Sequence, residues 1–352
     1  MCYPCSRTTV TYLPGLYSSH YRERTKDLDF RVPSFHTGKL FPPEYFLHRD
    51  GQIADAKEKL LDRQSFLIVG NRRSGKTSLC NLLMDWLKER SSSHSKGRPV
   101  VCYISLERDP RAEVATFLEH TLLSMIAETV RQVFGLMFAQ FQTLDDKTLA
   151  DDERLRALKT IYQSVLKRSI YQNCPETKPL VPNEFVEYAK DLIDIVQSLG
   201  ADNFVIFYDE ANHLPRGASV EMLLQNADAL SSNNFTVVLA ASDEMKESFA
   251  QLQHQLGHYQ VVLGPFNSPQ DLVRLVSFYY FKDMSRVSDV PMTQEAITCV
   301  WRYSRGLPYQ IQCLLKHSFS NTKQCGQCIV SAEHVDNAFR MVLQIWPEYF
   351  TT

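Results

Sequence analysis

Apolar residues recur along most of the chain with one of two periods, and the alternation of those periods outlines the architecture. The short, nearly continuous apolar runs Ser65–Val69, Val100–Leu106, Phe204–Tyr208, Phe235–Ala241 and Tyr259–Leu263 have strand length and predict strands covered on both faces. Between them the period lengthens to that of a helix. Asp50–Leu61 carries Ile53, Ala56 and Leu60 or Leu61 on one face, and Lys76–Arg90 carries Leu79, Leu82, Leu83, Trp86 and Leu87. Two or three helices are expected over Arg111–Tyr171, the first with a stripe through Phe117, Leu118, Leu122, Met125 and Ile126. Asn183–Leu199 and Val220–Leu230 predict two more. Helices alternating with buried strands predict an α/β fold with a parallel sheet between helical layers. The helices of about 111–199 exceed what one crossover needs. They read as an insertion, either a layer packed on the sheet or a surface for a partner.

After Gly264 the strands stop. Ser268-Pro-Gln-Asp271 supplies a capping hydroxyl, a proline at the first helical position and an acid in the first turn. Helices are predicted over Pro269–Phe281, Thr293–Tyr303, Leu307–Phe319 and Ser331–Ile345. At the other end, the first 40 residues carry weak periodicity, several prolines and the charged run Arg22–Asp29, and predict an extended arm. The expected organisation is an arm over 1–40, a three-layer core over 41–266 and a small helical lid domain over 267–352.

Composition narrows the class without naming a chemistry. A hydrophobic fraction of 44% and a charged fraction of 22% are ordinary for a soluble globular protein. The net charge of −2 supplies no overall field for nucleic acid or a membrane. Met1–Ser19 lacks the apolar stretch of a secretory signal. No run approaches the roughly 18 apolar residues of a membrane span. A cytoplasmic protein is expected. The nine cysteines include Cys80, Cys102, Cys299 and Cys313 in patterned segments, where they read as small buried hydrophobes. The pairs Cys2/Cys5 and Cys325/Cys328 have zinc-ligand spacing but sit at opposite ends of the chain, and accessible thiols without a metal are the preferred reading.

Chemistry concentrates at three strand ends. Gly70-Asn-Arg-Arg-Ser-Gly-Lys-Thr77 has the spacing GxxxxGK[ST], follows a predicted strand and opens a predicted helix. Glycines let the backbone wrap a phosphate, so that the N–H groups of Asn71–Ser78 and the helix N-terminus face it. Lys76 would reach the β- and γ-phosphates and Thr77 would ligate Mg²⁺. Arg72 and Arg73 either add charge to this loop or point to solvent. Phe204-Val-Ile-Phe-Tyr-Asp-Glu210 is an apolar strand ending in two carboxylates. Asp209 would hold the metal and Glu210 would act as the base toward water. The third end, Leu239-Ala-Ala-Ser-Asp243, offers Ser242, and more weakly Asp243, as a γ-phosphate sensor or as a helix cap. ATP and Mg²⁺ are the expected ligands of this P-loop core.

Phe46-Leu-His-Arg-Asp50, Gly70-Asn-Arg-Arg-Ser-Gly-Lys-Thr-Ser-Leu79, Tyr208-Asp-Glu-Ala211 and Arg305-Gly-Leu-Pro-Tyr-Gln310 together resemble the STAND and archaeal-type P-loop ATPases allied to AAA+ proteins. Ile329–Val335 and Ile345-Trp346 are similar to segments that close the lid in that group. The resemblance, which spans roughly residues 44–348, implies a nucleotide bound between core and lid. It places Phe46 and Arg49 near the adenine, or has them fix the N-terminal segment against the nucleotide, and places Pro308 near the base or phosphates. His48 stands where the group has glycine, and so does Arg305, which makes Arg305, or alternatively Arg302, a candidate phosphate sensor. Members usually continue into a winged-helix domain and sensor repeats. Here the sequence ends at Thr352, so those parts are expected to be missing or supplied by another polypeptide. The resemblance implies an ATP-hydrolysing molecular switch whose lid closure signals to a protein partner, with assembly of further copies on ATP. A nucleic-acid-associated ATPase of the initiator or transposition kind, and a module that holds ATP with little turnover, are the other two readings.

Overall fold

The computed structural model describes residues 30–33, 35, 46, 49–93, 97–106, 114–170, 180–213, 234–242, 260–347 and 350. The chain divides into two compact units, Lys39–Gly264 and a second made of Met1–Gly38 with Pro265–Thr352. The helix predicted over Val220–Leu230 lies outside the described residues, as do Cys2, Cys5, His48 and Asp243.

The unit Lys39–Gly264 begins with α1 (Asp50–Leu61), β1 (Phe66–Gly70), α2 (Lys76–Ser93) and β2 (Arg98–Ser105). The insertion follows as α3 (Val114–Gln132), the short helices α4 (Phe138–Gln142) and α5 (Asp146–Ala150), then α6 (Glu153–Ile170) and α7 (Pro182–Ser198). Strands β3 (Ala201–Asp209), β4 (Phe235–Ala241) and β5 (Gln260–Leu263) complete a parallel sheet of order β2-β3-β4-β1-β5. Strands β1 and β4 are buried along their whole length. That explains why they read as unbroken apolar runs instead of alternating ones.

Alternate residues of each strand serve opposite faces. Phe66, Ile68, Val205, Phe207, Val238 and Ala240 pack against α1 and α2 through Ala56, Leu60, Leu79 and Leu83. Leu67, Val69, Phe204, Ile206, Val237 and Leu239 pack against α3, α6 and α7. The stripe Phe117, Leu118, Leu122, Met125 and Ile126 is fully buried on that second face, so the insertion is a packed layer of the core. Its two short helices had no periodic signal, because tertiary contacts hold them. Phe141 is fully buried edge-on to Tyr162, with ring centroids 5.6 Å apart. Lys159 Nζ donates to the Phe141 and Gln142 carbonyls, both at 2.8 Å, and so caps the C-terminus of α4.

The second unit contains α8 (Pro269–Phe281), α9 (Gln294–Ser304), α10 (Pro308–Gln324) and α11 (Ala332–Ile345). Ser268 N and Oγ both approach Asp271 Oδ2 at 3.2 Å, closing the predicted cap of α8. Part of the expected arm packs here. Phe30 stacks on Phe319 at 5.7 Å, and Phe35 lies 5.0 Å from the Tyr279 ring and 5.4 Å from Phe319. Arg31 N donates to Tyr280 Oη at 3.1 Å. No helix among the described residues is long and apolar enough to cross a membrane.

Candidate functional site

The strand order decides which loops meet. Because β4 lies between β3 and β1, the C-terminal ends of all three are neighbours. Val69 pairs with Ala241 and Tyr208 pairs with Leu239. Gly70, Asp209 and Ser242, distant in sequence, therefore emerge on one edge of the sheet, where ligands of open α/β sheets bind.

The loop after β1 has little room for side chains. A Cβ on Gly70 would collide with Ser74 Oγ and stand 2.5 Å from the Leu263 carbonyl oxygen. Gly75 has φ of +101°, and a Cβ there would lie 2.7 Å from the Phe46 ring. Only glycine fits that conformation without strain. Arg73 also takes a left-handed φ, +63°, in a turn closed by Ser74 N donating to Asn71 O at 3.0 Å. Lys76 is buried, and its Nζ donates to Gly70 O at 3.0 Å and Asn71 O at 3.1 Å, so the ammonium is held across the loop. Helix α2 starts at Lys76, and the first N–H groups of a helix lack acceptors inside it. Ser78 is buried in this first turn, while Asn71 and Arg72 are exposed. Ser74 Oγ is buried and has no hydrogen-bond partner among the described residues. A phosphate fits a tight glycine loop that opens directly into a helix N-terminus.

Thr77 Oγ1, from the first turn of α2, donates to Asp209 Oδ2 at 2.6 Å. Asp209 is 2% exposed. Its Oδ2 also accepts from Tyr103 Oη at 2.7 Å, and its Oδ1 accepts from Glu210 N at 2.9 Å. A buried carboxylate must be paired, hydrogen-bonded or bound to metal. Here three neutral donors hold it, and a hard divalent cation suits the two adjoining oxygens of Thr77 and Asp209. Burial, followed by the Asp209 charge, raises the Tyr103 phenol pKa well above its usual value. Burial, again followed by the Asp209 charge, raises that of Cys80, one helical turn after Lys76.

Glu210 is half-buried and has φ of +55°, a left-handed conformation at a non-glycine residue. A short 3₁₀ turn, Ala211–His213, follows, with His213 N donating to Glu210 O at 2.9 Å. Asn212 ties this turn to the end of β4. Its Oδ1 accepts from Ser242 N at 2.8 Å and its Nδ2 donates to Ser242 Oγ at 2.9 Å.

Arg49 is buried in the same unit and donates to the carbonyl of Gly264, the residue after β5. Pro308 is the first residue of α10 in the helical unit, where Arg305 ends α9 with φ of +50°. Arg302 is occupied locally. Its guanidinium lies 4.8 Å from the Tyr303 ring centroid, and Tyr303 Oη donates to Asp336 at 2.7 Å. Cys325 and Cys328 are exposed thiols. No cluster of three His, Cys, Asp or Glu side chains suited to a metal occurs among the described residues.

Two partners had no sequence signal. Tyr103 reads as one more apolar residue of a strand, and Asn212 as a polar residue in a turn. Both acquire their roles from the strand pairing.

A family model described as an AAA domain matches residues 60–249, more than half of the chain. Among solved structures, Cdc6p from Pyrobaculum aerophilum is similar at 12% identity and a TM-score of 0.50, covering 87% of this chain and 70% of that one. A Walker-type ATPase of Pyrococcus abyssi is similar at 19% identity and a TM-score of 0.49, covering 88% of this chain and 75% of that one. Orc1 of Aeropyrum pernix, in complex with DNA, is similar at 16% identity and a TM-score of 0.48, covering 87% and 67%. No curated protein matches. The likeness to Cdc6p is one of fold, a parallel sheet between helices followed by a helical region. On the family match, the chain belongs to the AAA domain family of P-loop ATPases.

Proposed function

We propose that this protein binds ATP with Mg²⁺, hydrolyses it, and acts as a molecular switch of the STAND branch of AAA+ ATPases. The observation that carries the reading is the 2.6 Å contact of Thr77 Oγ1 with Asp209 Oδ2. It joins the phosphate loop to the acidic strand end across 132 positions of sequence.

In this reading the backbone of Gly70–Thr77 cradles the phosphates, with Ser78 completing the first turn of α2. Lys76 exchanges its loop carbonyls for the β- and γ-phosphate oxygens. Arg72 and Arg73 add positive charge at the rim. Thr77 and Asp209 hold Mg²⁺, which when bound neutralises charge on the phosphates. Glu210 orients the attacking water and accepts its proton, a role worth roughly 10²–10⁴ in rate. Ser242, steadied by Asn212, faces the γ-phosphate. Arg49 and Pro308 contribute to nucleotide binding as the family resemblance implies. The partner is read as a protein, because Lys+Arg and Asp+Glu nearly balance, 38 against 40, and supply no net attraction to nucleic acid.

The test is ATP turnover by wild type beside Lys76→Ala and Glu210→Gln, with assembly followed by light scattering. The switch reading expects Lys76→Ala to lose nucleotide binding. It expects Glu210→Gln to retain ATP while turnover falls by about 100-fold or more. If wild type binds ATP but turns over no faster than Lys76→Ala, hydrolysis is refuted and the protein is a nucleotide-holding module.

A further inference from the structure

Asp209 is gripped from a side that the phosphate loop and its own strand do not account for. Tyr103 lies on β2, the edge strand, in register with Phe207, while Asp209 pairs with Ser105. Tyr103 and Asp209 are therefore diagonal neighbours across the β2–β3 ladder, a separation that an aromatic side chain can bridge. Val101 packs on the α2 side of the sheet, as do Val205 and Phe207, and alternation puts Tyr103 and Asp209 on that same side. Tyr103 is 37% exposed as a residue, while its hydroxyl donates at 2.7 Å to the buried oxygen that also accepts from Thr77.

We propose that Tyr103 is a positioning residue for the magnesium site, fixing the Asp209 carboxylate so that Oδ2 stays against the Thr77 hydroxyl. The inference rests on the reading of Thr77 and Asp209 as the magnesium pair. A carboxylate bound only by Thr77 and its own strand can rotate about its terminal torsion, which is soft. Tyr103 supplies a second anchor on the same oxygen from a different strand, and a phenol, protonated at neutral pH, serves as a constant donor. The hydroxyl makes no demand on the phosphate loop, so its loss falls on Mg²⁺ affinity and spares metal-free nucleotide binding. A purely structural Tyr103 would instead weaken both kinds of binding equally.

The experiment is a binding titration of a fluorescent ATP analogue to full-length wild type and Tyr103→Phe, once against Mg²⁺ and once in EDTA, with melting temperatures recorded. In Tyr103→Phe the half-saturating Mg²⁺ concentration is expected to rise about 10-fold, the low end for loss of an outer-shell partner, since Thr77 and the Glu210 amide still hold the carboxylate. Binding in EDTA stays at the wild-type value, and the melting temperature falls by no more than the loss of one hydrogen bond to a buried carboxylate accounts for. Tyr103→Met, which fills space without a hydroxyl, reproduces the shift and guards against a folding defect peculiar to one variant. An unchanged Mg²⁺ titration, or equal weakening with and without Mg²⁺, overturns the inference while leaving the site reading intact. Wild-type binding that ignores Mg²⁺, or is unaffected by Asp209→Ala, overturns the magnesium pair itself and the inference with it.

Discussion

Glu210 occupies a backbone conformation that favours glycine, and the conflict between its side chain and its φ can be measured. At +55° its Cβ is crowded against its own peptide group, which for a non-glycine residue costs roughly 1–2 kcal/mol. The conformation is imposed from both sides. Glu210 N is drawn to Asp209 Oδ1 at 2.9 Å, and its carbonyl closes the 3₁₀ turn to His213 at 2.9 Å. Comparing Glu210→Ala with Glu210→Gly separates backbone from carboxylate, since both remove the acid and only glycine removes the Cβ. Glycine gives back about 0.4–1 kcal/mol through its freer unfolded chain, which leaves a net gain near 1 kcal/mol over alanine. For a unit of this size that is about 2–4 °C in melting temperature. Thermal unfolding without nucleotide, followed by fluorescence, reads the difference, and neither variant is expected to turn over ATP. If the glycine variant melts at or below the alanine variant, the turn stores no strain, and this account of a stability sacrificed for the placement of Glu210 is wrong.

The tie between Asn212 and Ser242 predicts that Asn212→Ala lowers stability by about 2 kcal/mol, since it leaves the Ser242 N–H without its acceptor in a buried place. Denaturant unfolding measures that loss, and steady-state kinetics should show kcat falling more than KM rises, because Asn212 steadies strand ends without holding phosphate. In the helical unit, Phe35 is 6% exposed against Tyr279 and Phe319, and Phe35→Ala is expected to destabilise that unit by about 3 kcal/mol. Faster proteolysis within Pro265–Thr352 checks it; wild-type resistance would show that the aromatic contact contributes little.

The chain announces what depends on neighbours in sequence. The phosphate loop was legible because Gly70, Gly75, Lys76 and Thr77 work through backbone conformations and a helix start that adjacent residues dictate. The buried strands were legible because a parallel sheet between helical layers leaves no polar face to interrupt an apolar run. The cap at Ser268 and Asp271 was legible for the same local reason. Contacts set by pairing register were not. Nothing near Tyr103 signals that Phe207 will lie beside it, yet that register brings its hydroxyl to Asp209. Nor does the segment around Phe35 show any period, because a strap is held by the surface it lies on and not by repeating a face of its own. The left-handed Glu210 was invisible too, since its conformation comes from the turn that Asn212 anchors.

These register-dependent residues share one consequence for the site. Burying a carboxylate carries a penalty of several kcal/mol even after relaxation, and Asp209 is almost fully withdrawn from water. Thr77, Tyr103 and the Glu210 amide offset that penalty with three hydrogen bonds, each drawn from a different element or turn. Those three hydrogen bonds last only while α2, β2 and the turn after β3 hold their relative places. A change at any of the three reaches the others through this one group, without a chain of intermediate contacts. The strand order that inserts β4 between β1 and β3 extends the same dependence to Ser242, because Asn212 lies three residues beyond Asp209 in the turn that Glu210 opens. The loop Gly70–Thr77, Asp209, Glu210 and Ser242 are thus mechanically one assembly, and under the proposed switch function the loss of one phosphate would disturb the ends of three strands together.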